Sequence, residues 1–238
     1  MIKGINLGSG NWSHKNWIGY DKLNNNYLNE TSVLPHNDDT LSYIYSCHFF
    51  EHINDETIIN LLKESYRVLK KNGIIRIVVP HFNLMLDKYK KNDNNFFRKN
   101  LGSGRPEWKK YNVEHTMETV LAHWFSNYDD GDPDNRNGYR GPPRNLSSQQ
   151  IKEKALSLPI EEFSNWLISH IPSGKNITTQ HINCPTITKM KNLLEKAGFK
   201  NVQETSAYKS NIYDVLNTGA FNNEKRRKHI SLFIEANK

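Results

Sequence analysis

Ile5-Asn6-Leu7-Gly8-Ser9-Gly10, followed by Trp17-Ile18-Gly19-Tyr20-Asp21, is the stretch on which the fold turns. Lys3 to Leu7 reads as a short strand that runs straight into a glycine turn. In doubly wound folds such a turn lets a ligand approach the backbone closely, and ligands sit at the carboxyl ends of the strands. The third glycine of the dinucleotide fingerprint is missing, so the turn alone marks a structural bend as readily as a binding loop. Trp17 to Asp21 reads as a second strand ending in a carboxylate that can accept both hydroxyls of a ribose. The same acid also fits a solvated strand end. Only Asn11 to Tyr20 separate Gly10 from Asp21, too few residues for a helix with its turns, so this nucleotide lobe is abbreviated.

Outward from that stretch, the pattern stays α/β. Ser42 to Cys47 is rich in strand formers. Asn54 can cap a helix opened by Asp55 and Glu56, with Ile58, Ile59, Leu61, Leu62, Tyr66 and Leu69 at helical spacing. Lys70-Lys71-Asn72-Gly73 is expected to close it, with Gly73 as the stop. Ile74 to Val79 is an apolar run suited to a central buried strand. A second amphipathic helix spans Thr186 to Ala197 and ends at Gly198. Asn201 to Ala207 and Ile230 to Ala236 are candidate late strands, joined by a long turn holding Lys225-Arg226-Arg227-Lys228. Between these parts, residues 82–183 read as an insertion of helices and ordered loop within a single domain of residues 1–238.

Composition narrows the class. The chain has 238 residues and no apolar run near the roughly 18 that read as a membrane span. Its start carries no secretion signal, and two cysteines, Cys47 and Cys184, are too few for a disulfide framework; a reducing, cytoplasmic setting is expected. The net charge of +7 suggests nucleic acid, but Lys outnumbers Arg 23 to 9. Nucleic-acid grooves favour Arg. The insertion is nearly balanced in charge, and the four bases at 225–228 read as a solvated turn, so nucleic acid is not the expected partner.

The series Asn6-Leu7-Gly8-Ser9-Gly10, Trp17 to Asp21, Leu34-Pro35 with Asp38-Asp39, His48-Phe49-Phe50-Glu51-His52-Ile53, Glu64 to Gly73, Ile75 to Pro80 and Leu193 to Phe199 resembles class I S-adenosylmethionine-dependent methyltransferases, and more narrowly the methyltransferase type 11 group. The resemblance covers residues 1 to about 90 and 185–238. It implies a Rossmann-like, doubly wound, seven-stranded, mostly parallel sheet with an antiparallel last strand. It implies that Leu7, Gly8, Ser9 and Gly10 wrap the cofactor, that Asp21 holds the ribose, and that the segment before Leu34, which offers Asn29 or Glu30 where the family often has Asp, lies against adenine. Ser46, Cys47 and His48 would face the methionine end. A methyl acceptor of small size follows, offering oxygen or nitrogen and sugar-linked in some relatives. A sulfonium methyl is already activated, so the protein must align, exclude water and take a proton. The chain starts at its first strand, so cofactor cover from the insertion or a second subunit, a homodimer, is expected.

His48 is the first candidate for general base or cofactor contact, and His81, just past Pro80, the second. Glu51 and His52 also fit structural roles at a strand–helix junction. His48-x-x-Glu51-His52 matches an inverted zinc-protease pattern as well, but that chemistry needs both histidines on one helix, and no metal is expected. Asp130-Gly131-Asp132-Pro133-Asp134 resembles a calcium loop yet has Asn135 and Gly141 at its diagnostic positions. His115, His123, Trp124, Tyr128, Asp129, Asp130, Asp132, Arg136, Tyr139, Arg140 and Arg144 make the insertion a candidate lid. Two rivals remain: another reaction of the same cofactor, by aminocarboxypropyl transfer or cofactor cleavage, and a non-enzymatic module binding nucleic acid or a partner protein.

Overall fold

In the computed structural model, residues 2–24, 28–101, 107–129, 139–171 and 179–238 are described. The strands are β1 (Gly4–Leu7), β2 (Trp17–Tyr20), β3 (Leu41–Cys47), β4 (Leu69–Pro80), β5 (Tyr128–Asp129), β6 (Arg140–Gly141), β7 (Lys200–Glu204) and β8 (Ser231–Asn237). Two compact units divide the chain: residues 1–80 with 185–238, and residues 81–184.

The first unit is built on a six-stranded sheet in the order β2-β1-β3-β4-β8-β7. β2, β1, β3 and β4 are parallel neighbours, while β8 runs antiparallel to both β4 and β7. The mixed α/β sheet with an antiparallel last strand is therefore as expected, but the strand count is six among the described residues, not seven. The missing edge is explained by the chain after β2. Lys22–Asn24 is a single 3-10 turn, and Asn29 to Ser32 closes a turn on itself. Neither stretch offers the β-branched alternation a strand needs.

Period-two alternation sorts the strand residues onto two faces. Ile5, Leu7, Ile44, Ile75, Ile77 and Val79 pack under the helices Asp55–Val68 and Ile187–Lys196. Trp17, Tyr45, Val78 and Phe233 pack on the other face with Ile212, Val215 and Phe221. That second face is covered by two short helices, Tyr213–Asn217 and Asn222–Arg226, in what the sequence suggested was a long turn. The link from β1 to β2 contains no helix; Trp12 instead packs edge-on to Trp17 and donates its indole N–H to the Ala220 carbonyl.

Asn54 caps the first helix, its Oδ1 accepting the Thr57 N–H at 2.8 Å. The helix ends at Val68, before the expected stop, because Leu69 already pairs with Leu41 as the start of β4. Gly73 lies within that strand, and the left-handed residue is Asn72 (φ +63°). Gly198 does terminate its helix, at φ +106°.

The second unit is mainly helical, with the helices Phe82–Lys90, Met117–Ser126, Ser148–Ser157 and Ile160–Ser169 and the short β5–β6 pair. Capping boxes at Thr116/Thr119 and Ser147/Gln150 open two of them. Phe82, Phe125 and Phe163 form its aromatic core, with ring centroids 4.9 and 5.1 Å apart. The calcium-like segment Asp130–Asp134, with Asn135 and Arg136, lies outside the described residues.

Candidate functional site

Strand register brings the chemistry of the first unit to one sheet end. Leu7 pairs with both Tyr20 and Ser46, so Gly8, Asp21 and Cys47 leave neighbouring strands side by side. Cys47 pairs with Val78, and Pro80 at the end of β4 pairs with Ser231 at the start of β8. In parallel sheets this carboxyl end is where ligands bind.

The glycine turn is defined by two left-handed residues, Gly8 (φ +71°) and Gly10 (φ +54°). They serve different purposes. A Cβ on Gly8 would lie 2.2 Å from the Phe49 ring, so Gly8 is there to let Phe49 close under the turn. A Cβ on Gly10 would meet nothing within 4 Å, so Gly10 borders open space. The Gly8 and Ser9 N–H groups donate to the Tyr20 carbonyl, fixing the turn to β2. Asp21 completes the clamp: Oδ2 accepts the Gly10 N–H at 2.9 Å and Oδ1 accepts the Leu23 N–H at 3.0 Å. A carboxylate offers about four acceptor positions, and at least two of these are taken by the backbone. An open cradle at Gly10 next to an amide-braced carboxylate fits an adenosyl ligand.

The remaining sequence candidates separate. Ser46 is fully buried and donates its hydroxyl to the Leu7 carbonyl at 3.0 Å; it braces β1 against β3. Cys47 faces the opposite side of the sheet beside Tyr45, and burial pushes its thiol up to about 12. It stays protonated at neutral pH. Asn29 spends its Oδ1 on Thr31 and Ser32, and Leu34 is a core residue whose N–H donates to Glu64. A larger, open cleft of about 540 Å³ lies by Pro35, His36, Leu41 and Lys70, at the amino-terminal ends of β3 and β4, and holds none of these groups.

His48 follows β3 in a left-handed conformation (φ +55°), its N–H bound to the Val78 carbonyl at 2.7 Å. Its ring lies between Glu51 Oε1, 3.1 Å from Nδ1, and Ser231 Oγ, 3.0 Å from Nε2. The side chains of His48 and Glu51 are 8% and 0% exposed. His48 precedes the 3-10 turn Phe50–His52, and the α-helix begins only at Asp55, so His48 and His52 are not on one helix face as the zinc-protease pattern requires. His81 belongs to the second unit, where Nδ1 accepts the Leu84 N–H at 3.2 Å and caps the helix Phe82–Lys90.

The sequence reading missed Phe49 and Ser231. Phe49 sits inside the quoted histidine motif, and its packing against a glycine 41 positions away leaves no periodic trace. Ser231 is a lone serine at the head of a strand.

Within the second unit, most candidate lid side chains pack against one another. The Trp108 indole lies 5.6 Å from His115 and 5.5 Å from His123 and donates to the Arg140 carbonyl at 2.7 Å. Tyr139 is buried with its hydroxyl on the Pro142 carbonyl, and the Arg144 guanidinium covers Tyr111 and Tyr139 at 5.3 and 5.1 Å. A cleft of about 290 Å³ there is lined by Val113, Glu114, Thr119, Pro143 and Arg144 among others.

Comparison with known families places a methyltransferase domain on residues 19–77, which run from β2 into β4. No curated protein sequence matches the chain. Among solved structures, it is similar to an S-adenosylmethionine-dependent methyltransferase from Mesorhizobium loti, at 15% identity and a TM-score of 0.42, covering 100% of this chain and 91% of that one. It is also similar to one from Methanosarcina mazei, at 14% identity and 0.43, covering 99% and 92%. A third, from Archaeoglobus fulgidus, gives 13% and 0.40, covering 100% and 86%. At these scores the three likenesses carry no weight for substrate or mechanism. No helix among the described residues is long and apolar enough to cross a membrane. Over residues 19–77 the chain is therefore similar to the methyltransferase domain, a domain whose cofactor is S-adenosylmethionine.

Proposed function

We propose that the first unit binds S-adenosylmethionine at the Gly8–Gly10 turn and Asp21, and that His48 takes a proton from a small acceptor bearing an O–H or N–H group. Bound there, the cofactor supplies an electrophilic methyl group. The chain's own residues do the rest. Gly10 leaves room at the turn, Asp21 holds the turn and accepts from a ribose diol, and His48 receives the acceptor's proton.

The observation that carries this reading is the setting of His48. A Glu51 carboxylate can only accept a hydrogen bond, so in that state it places the proton of a neutral His48 on Nδ1 and leaves the Nε2 lone pair facing Ser231. It also stabilises the imidazolium that forms when Nε2 is protonated. A base of this kind suits acceptors that must lose a proton, rather than thioethers or tertiary amines. His81 suits the role less, because its unprotonated nitrogen already caps a helix.

Product analysis with a panel of phenols, amines and sugars separates the reactions. S-Adenosylhomocysteine as product supports methyl transfer; methylthioadenosine points to aminocarboxypropyl transfer or cofactor cleavage. Nucleic acid is disfavoured by the Lys-over-Arg composition, and a homodimer is tested by light scattering on the full chain.

A further inference from the structure

We infer that Ser231 is the third member of a buried hydrogen-bonded chain, Glu51–His48–Ser231, and that the acceptor's proton reaches His48 through the Ser231 hydroxyl. This rests on His48 acting as the base.

The three residues lie far apart in sequence, and the sheet assembles them. His48 is pinned at the end of β3 by its N–H bond to Val78. Glu51 sits in the 3-10 turn that follows. Ser231 heads β8, opposite Pro80. All three side chains are withdrawn from solvent, Ser231 being 5% exposed overall. Charge-assisted hydrogen bonds strengthen in such low-dielectric surroundings.

Chemistry sets the direction of each bond. Glu51 accepts from Nδ1–H, so Nε2 carries the lone pair and Ser231 O–H donates to it. A hydroxyl both donates and accepts. When Nε2 is protonated, Ser231 Oγ becomes the acceptor without moving, whereas a group that only donates would oppose that state. The transfer balances: the acceptor's proton forms a new O–H bond at Ser231 Oγ, the original Ser231 O–H bond breaks, and that proton forms N–H at Nε2. The product state is an imidazolium between a carboxylate and a neutral hydroxyl. Because Ser231 covers Nε2, a direct path to that nitrogen would first require displacing the hydroxyl. His52 approaches Glu51, at 3.8 Å, and burial holds the Cys47 thiol protonated.

The test is ¹⁵N NMR of the full chain with labelled histidine, with and without S-adenosylhomocysteine, whose binding is followed by calorimetry on the same samples. The relay predicts an Nδ1–H tautomer for neutral His48 in the wild type. Ser231→Ala should shift the Nε2 resonance and leave Nδ1 in place, Ser231→Thr should restore it, and Glu51→Gln should mix the tautomers. An Nε2–H tautomer in the wild type, which needs no variant to fold, would overturn the proposal. So would an Nε2 resonance indifferent to Ser231→Ala. Either result with S-adenosylhomocysteine still bound overturns the relay alone; absence of that binding overturns the methyl-transfer reading beneath it.

Discussion

The Gly10 backbone N–H donates to Asp21 Oδ2 at 2.9 Å, tying the glycine turn to the end of the adjacent strand. The second carboxylate oxygen takes the Leu23 N–H at 3.0 Å, so one acid joins the glycine turn to the chain that follows β2. Asp21→Ala releases two charge-assisted bonds, each worth roughly 1.5–3 kcal/mol where it is well formed, and screening at this half-buried position places the total at the low end. Affinity for S-adenosylhomocysteine should fall by at least about tenfold, since 1.4 kcal/mol already corresponds to that factor. Asp21→Asn, which keeps an acceptor oxygen, should lose less. Calorimetry on the three proteins checks the order.

Gly8 and Phe49 make a separate prediction about stability. Alanine at position 8 meets both a left-handed backbone and the Phe49 ring. Backbone strain and overpacking together should cost roughly 2–4 kcal/mol. Because the two residues touch, Gly8→Ala with Phe49→Ala should be less destabilised than the sum of the single changes. Urea denaturation of the four proteins measures the difference; strict additivity would contradict the contact.

Arg76 is fully buried on β4 with both Glu224 and Glu235, at 2.8 Å to each. It also donates to the Ser206 and Lys209 carbonyls. Arg76→Met leaves two carboxylates buried without their cation and should cost about 3–5 kcal/mol, the range for breaking a buried pair. Adding Glu224→Gln and Glu235→Gln should recover part of that loss. Equal stabilities for the single and triple variants would contradict the assignment.

Acid sensitivity should come from the segment joining Leu34 to the first helix. The Arg67 guanidinium hydrogen-bonded to Glu64 holds that carboxyl below its usual range, helped by the Leu34 N–H. A depressed carboxyl contributes stability above its unfolded pKa and loses it as pH falls through the folded value. His36 is also depressed, by burial and then by Arg67. Its neutral ring therefore contributes fully above the unfolded value near about 6.5 and progressively less below it. Unfolding midpoints should drop on acidification in two stages, and Glu64→Gln should flatten the lower one. Identical profiles for the two proteins would refute this.

The parts of the fold legible in the sequence were those governed by local rules. The glycine turn, the Asn54 cap, the apolar run at 74–79 and the stop at Gly198 each follow from a residue's own conformational preference. The missing helix between β1 and β2 was legible from length alone. What escaped depended on distant partners. Gly73 looked like a stop, but Leu69 pairs with Leu41, so the strand starts earlier and the left-handed turn falls to Asn72. The expected seventh strand had only the resemblance behind it, and among the described residues Lys22–Asn24 is a 3-10 turn and Asn29 to Ser32 a closed turn. Glu224 sat in an apparent turn, and only the folded sheet shows it neutralising Arg76 from 148 residues away. In the candidate site, Gly10, Asp21 and His48 stand in motifs that local sequence makes visible. The contacts of Asn29 with Thr31 and Ser32, of the Leu34 N–H with Glu64 and of Ser46 with Leu7 depend on the folded chain and leave no such trace.

The central claim is that the Gly8–Gly10 turn and Asp21 hold S-adenosylmethionine. Gly10 tests it most directly: its Cβ would enter open space rather than the core, and the strain of a side chain at φ +54° is separated from the loss of binding by measuring the variant's stability. Calorimetric titration of S-adenosylhomocysteine into the wild type and into Gly10→Val, with folding of the variant checked by circular dichroism, should show one site in the wild type and its loss in the folded variant. No binding to the wild type, or the same affinity in both proteins, would contradict the account.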